Sequence, residues 1–251
     1  MSLDLNSLLK DWPHEIGAIK VRKIIGFDGR EKLQLRIDLG ILQMEMTGRP
    51  DGQRPHNCES LLVYHQRRAE RAEARGENYE LTSDQCNELQ QEGIQYYHRY
   101  LSLFQINDFA GVIRDTQRNL DLFAFVAEHA ERDELIIWSF QQFRPYVLMM
   151  NTRAKASILL AEGKFGEAMR EIERGRDAIQ EFFQQSNFPE LATKSSELAF
   201  LEEWLEEVSS KRPLSKLEIM QREMEVAIAR ELYERAAELR DAIKLLQTQS
   251  N

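Results

Sequence analysis

Cysteine and long apolar runs are scarce in these 251 residues, and each shortage excludes something. Two cysteines, Cys58 and Cys86, cannot build a disulfide framework and fit a reducing compartment. No uninterrupted apolar stretch approaches the ~20 residues a membrane helix needs. The opening residues Met1 to Asn6 show neither a basic region nor an apolar one, so no signal peptide is expected and the cytoplasm is the expected compartment. A glycine-rich loop ending in Gly-Lys-Ser/Thr is missing, as are paired Cys-x-x-Cys ligands. Neither ATP, a metal nor any other cofactor is therefore expected. Basic residues are also the minority: 33 Lys and Arg against 42 Asp and Glu leave a net charge of −9, which disfavours nucleic acid as a partner. What remains is ordinary globular material, 42% hydrophobic and 30% charged, with enough apolar side chains for a sizeable core.

Charge and hydrophobic period divide the chain into 1–80 (net 0), 81–212 (net −8) and 213–251 (net −1). The first part reads as β. Ala18–Ile25 is rich in β-branched residues, and Lys32–Leu39 alternates polar with apolar, as a strand with one buried face does. Between them Asp28-Gly29 signals a two-residue hairpin turn. Ile41–Met46 alternates likewise after a bend at Gly40, predicting a three-stranded antiparallel sheet that needs a helical cover. Thr47–Pro55 is a loop by composition.

From Ser60 the pattern is helical, with ends expected at Gly76–Asn78, Asn107-Asp108 and Gly163-Lys164 and a break at Pro145 within 131–161. The second of the two central helix pairs resembles a tetratricopeptide hairpin through Ala156, Leu159, Ala168, Ile172 and Gly175. The first carries Tyr100 and Val112 where that repeat has small residues. Phe109 and Phe165 lie 56 positions apart rather than about 34, so the repeat is degenerate. The expected class is α+β, mostly α: a small N-terminal antiparallel sheet, tetratricopeptide-like helical hairpins, and a C-terminal antiparallel helical hairpin.

That last hairpin begins at Leu214-Ser215, with Ser215 as its cap. One helix offers Leu217, Met220, Met224, Ala227 and Ile228 on a face; the next offers Tyr233, Ala236, Ala237, Arg240 and Ile243. Small alanines let the backbones approach and methionines adapt to what faces them. The string Glu223-Met224, Ala227, Tyr233-Glu234, Ala236-Ala237, Leu239-Arg240-Asp241-x-Ile243 resembles the UVR (UvrB/UvrC) motif over residues 215–247. Glu231 and Leu232 depart from it, standing where the family commonly has an apolar and a polar residue. The resemblance implies a hairpin for protein–protein contact, found in the excision-repair subunit UvrB, the nuclease UvrC, Clp-type ATPases and stress-response adaptors. On it Met220, Met224, Ala227, Ile228, Tyr233, Ala236, Ala237, Arg240 and Ile243 are the candidate partner-binding residues. A two-helix unit this small cannot bury its apolar face alone, so it packs on its own chain, self-associates or receives a partner.

Elsewhere the signals are weaker. Arg49 and Arg54, on a loop stiffened by Pro and Gly, present either an anion clamp or a connector whose arginines pair with neighbouring acids. His56, Cys58, His65 and Cys86 lack the tight spacing of a zinc site. The stripe Arg67, Arg68, Arg71, Arg75 is interleaved with glutamates and reads as a solvated face. The aromatic groups around Tyr96–Phe104 and Trp138–Tyr146 read as core. The function expected from all this is a non-catalytic adaptor in stress response or protein quality control. An accessory role in nucleotide excision repair is the alternative, and an enzyme using the Gly48–Pro55 loop a third reading.

Overall fold

The computed structural model describes residues 4–131, 134–186, 189–213 and 216–249, the last segment without the side chains of 216–218 and 245–249. The expected Ser215 cap and the Leu217 side chain lie outside the described residues. The chain is α+β and mostly α, and it divides into two compact units, Met1–Leu205 and Glu206–Asn251. The junction read near residue 80 falls inside the first.

A short helix α1 (Asn6–Leu9) precedes the sheet β1 (Lys20–Ile25), β2 (Glu31–Ile37) and β3 (Gly40–Glu45), paired antiparallel in the order β1-β2-β3. The Asp-Gly turn differs from the two-residue form: Gly26 N–H donates to Arg30 O at 2.8 Å, closing a three-residue loop. Asp28 accepts from Arg30 N–H and Lys32 Nζ, while Gly29 alone takes the left-handed conformation, at φ +73°. The bend before β3 lies at Asp38-Leu39, since Ile37 pairs with Gly40.

β2 corrects a second expectation. Its pattern promised one wet face, yet Lys32, Gln34 and Arg36 are as buried as Leu33 and Leu35. As the central strand it is flanked on both sides, and each polar residue has a partner there. Gln34 bonds to Arg22 and Gln43, Lys32 to Asp28 and Glu45, and Arg36 to the carbonyls of Trp12, Ile37, Asp38 and Gly40.

After a 3-10 turn at Pro55–Asn57 come α2 (Leu61–Glu73), α3 (Ser83–Gln105) and α4 (Phe109–His129). They are followed by α5 (Glu134–Gln141), α6 (Arg144–Ala161), α7 (Phe165–Gln185) and α8 (Ser196–Lys211). The N-termini follow local chemistry: Ser60 accepts from Val63 N–H, Thr82 and Gln85 form a reciprocal capping box, and Asp108 accepts from Gly111 N–H. Pro145 sits in the first turn of α6, so the break falls before it at Gln142-Phe143. Helix pairs α3/α4 and α6/α7 each turn through a left-handed residue, Asn107 (φ 58°) or Gly163 (φ 72°). Leu89, Leu122, Val126, Phe140 and Val147 form the centre of the core, with α4 packed against α3, α5 and α6.

Buried ions join sheet to helices. Arg99 holds Asp115 through two bonds of 2.6 and 2.8 Å and donates to Glu45 O on β3 at 3.1 Å. Beside them the fully buried Glu92 accepts from the backbone N–H groups of Leu61 and Leu62, the first two of α2, at 2.8 and 3.2 Å. It also pairs with Arg118, whose guanidinium lies over the Tyr96 ring.

Candidate functional site: the C-terminal hairpin and the loop at residues 48–55

The second unit contains α9 (Lys216–Ala229) and α10 (Tyr233–Gln249), an antiparallel helical hairpin. The two departures from the motif fall in its turn. Glu231 takes φ 59°, its N–H donates to Ile228 O at 2.9 Å, and Leu232 N–H reaches back to Ala227 O at 2.9 Å. This pair of bonds is a Schellman motif, normally built on glycine. The same two-bond closure ends α3 at Asn107 and α6 at Gly163, followed each time by one residue and then an aromatic: Phe109, Phe165 and here Tyr233. Leu232 thus holds the position after the left-handed residue and is 54% exposed.

Burial sorts the nine candidate residues. Ala227, Ala236 and Ile243 are buried, together with Leu239, a fourth core residue that the sequence reading missed. The positions 236, 239 and 243 repeat at three and four, the spacing of two helices packed along one seam. Met220, Met224 and Ala237 are half-buried. Ile228 and Tyr233 are 51% and 68% exposed, and Arg240 points to solvent against its neighbour Asp241 at 2.9 Å. Asp241 is held below the usual carboxylate range by that arginine. Ala227 and Ile228 were both expected on the inner face of their helix, and the seam takes Ala227 alone.

A second face of the hairpin, absent from the sequence reading, is a groove of about 500 Å³. Ala227 and Leu239 lie among its lining, while Ile219, Val226 and Leu232 stand 44%, 50% and 54% exposed along it. Arg222, Arg230 and Arg235 also line it, with Glu223 the single acid. Arg235 is engaged by Glu238 at 2.9 Å and lies 4.0 Å from Glu223. Arg222 and Arg230 have no acidic partner among the described residues. The signal for this face was in the sequence, as Ile219 and Val226 seven residues apart on one helix and Leu232 in the turn after it.

In the first unit Arg49 lies 3.3 Å from Glu92 and 3.3 Å from Asp51, the arrangement of a connector held by neighbouring acids. Arg54 is exposed, without an acidic partner among the described residues. His56 stacks on Tyr64 at 4.0 Å, Cys58 accepts from Arg67, and Cys86 is buried in the helical core. His65 Nδ1 meets Tyr79 Oη at 2.6 Å, and burial pushes its imidazole down to about 4. Among the described residues no group of three or more His, Cys, Asp or Glu side chains is placed to hold a metal ion. A separate aromatic cavity of about 660 Å³ between α3, α4, α5 and α6 is lined by Tyr97, Tyr100, Phe140, Phe143 and Tyr146. So Phe143, 51% exposed, is not core as expected.

No helix among the described residues is long and apolar enough to cross a membrane. No curated protein and no solved structure matches the chain. Residues 215–249 match the UVR family, described as the UvrB/uvrC motif, which is known from nucleotide excision repair proteins and mediates protein interactions.

Proposed function

We propose that this protein is a non-catalytic cytoplasmic adaptor that docks a partner protein through its C-terminal UVR hairpin. The observation that carries this is the hairpin groove: three half-exposed apolar side chains on a motif whose relatives make protein contacts. A soluble monomer gains nothing from keeping Ile219, Val226 and Leu232 together in water, whereas an interface does. The first unit fits the role of scaffold, its paired helices resembling degenerate tetratricopeptide hairpins and its buried charges already engaged in joining α3 to α4 and to β3. Stress response or protein quality control is the proposed setting. The motif's occurrence in excision-repair proteins favours a second setting, in which the partner is a UvrB- or UvrC-like subunit.

The test is a pull-down from native lysate with the full chain and with Ala236→Glu. Ala236 is 9% exposed in the helix seam, so a glutamate there parts the helices or buries a charge, at a cost of about 3 kcal/mol or more. Partners captured by the parent are expected to be lost while the helical signal of the first unit persists. A variant that keeps every partner overturns the docking role. Recovered Clp-type or repair-type proteins distinguish the two settings.

A further inference from the structure

We infer that the hairpin groove receives an acidic amphipathic α-helix of a partner protein, rather than a second copy of this hairpin. This rests on the docking role proposed above and names the occupant. The apolar anchors define its shape. Ile219 and Val226 lie seven residues apart on α9, and Leu232 stands across from them after the turn. From Ile219 to Arg230 the groove runs eleven residues, about 16 Å of helix, enough for three turns of a partner presenting apolar residues at i, i+3 or i+4, and i+7.

Charge selects among such helices. Arg222 and Arg230 flank the apolar strip without acidic partners among the described residues, and the one acid, Glu223, faces Arg235 at 4.0 Å. A helix with Asp or Glu beside its apolar stripe pairs with both guanidinium groups and with their fork geometry. A second hairpin does not. Two-fold pairing through this face sets Arg222 and Arg230 of one copy toward the same residues of its mate, and like charges facing across an interface are repulsive. The excess charge of the whole chain is negative, so this basic rim is a local feature and not a reflection of composition.

A displayed library of 16-residue helical peptides, with leucine fixed at i, i+3 and i+7 and flanking positions drawn from Glu, Gln and Lys, tests the inference against the full-length protein. Glutamate is expected to be enriched over lysine. A selected peptide, followed by fluorescence anisotropy, is expected to bind Arg222→Glu/Arg230→Glu about tenfold more weakly and to weaken with salt. Circular dichroism checks that this variant keeps its helices. Lysine enriched as often as glutamate overturns the inference, as does equal affinity for the charge-reversed variant. A dimer in sedimentation velocity that Val226→Glu dissolves overturns it too, since the occupant is then a second copy. If lysate partners are lost with Ala236→Glu while acidic peptides show no preference, the docking role stands and the acidic helix falls. If Ala236→Glu loses no partner, both fall.

Discussion

Replacing Glu92 with glutamine should destabilise the first unit more than any surface change, because this one carboxylate accepts from two helix N–H groups and balances two guanidinium groups at once. It is fully buried, accepts the first two free N–H groups of α2, and balances Arg118 and Arg49. Glutamine keeps the shape but removes the charge and turns an NH2 group toward donors. An uncompensated buried guanidinium costs about 3–5 kcal/mol, and each helix N–H left without an acceptor adds roughly 1 kcal/mol. Against a total stability of about 5–15 kcal/mol this is a large fraction, equivalent to a fall in Tm of roughly 10 °C for a unit of this size. Urea unfolding followed by far-UV circular dichroism measures it. The second arm is Arg118→Met, alone and combined with Glu92→Gln. The double variant should recover at least about 1.5 kcal/mol of the summed losses, since the pair is removed together. A Glu92→Gln cost below about 1 kcal/mol, or strict additivity, refutes the reasoning. It would mean that water, not Glu92, satisfies these groups.

Three further outcomes are expected. His65 has an ordinary value of 6.5 lowered to about 4, so between those limits the unfolded chain takes up a proton that the folded chain refuses. Stability is then full above pH 6.5 and falls by about 2 kcal/mol at pH 5, a dependence that His65→Asn should abolish in pH-resolved urea melts. Gly175→Ala should cost roughly 1–3 kcal/mol, because a Cβ there collides with the Thr152 side chain, and Thr152→Ala should partly restore the loss in the same melts. Glu231→Gly should raise the thermal stability of the hairpin by about 0.5–1 kcal/mol. Relief of the left-handed strain at φ 59° outweighs the added freedom of glycine in the unfolded chain. An unchanged or lower transition by differential scanning calorimetry contradicts that assignment.

Local chemistry in the sequence was enough to predict the strands, most helix boundaries and the hairpin. Ser60, Thr82 and Asp108 cap helices through atoms within three residues, and Asn107 and Gly163 tolerate the left-handed turn by their own nature. The UVR string is legible for the same reason: its seam residues repeat at fixed helical spacing within one short segment. What only the tertiary structure decided involves partners distant in sequence. Lys32, Gln34 and Arg36 looked like a wet face until β1 and β3 closed on both sides of their strand. Arg49 read equally as an anion ligand or as a connector arginine until Glu92, from a helix more than 40 residues later, met it. Glu231 carried no sign of a left-handed turn, because its side chain gives no local reason for one; the packing of α9 on α10 holds it there. The sequence showed one apolar face on each helix of the hairpin. Only the meeting of the two helices set a buried seam at Ala227, Ala236, Leu239 and Ile243 apart from an open groove at Ile219, Val226 and Leu232. Two helices touching along one line can cover only the residues that face each other, and the crossing of their axes, not the spacing along either, selects which ones those are.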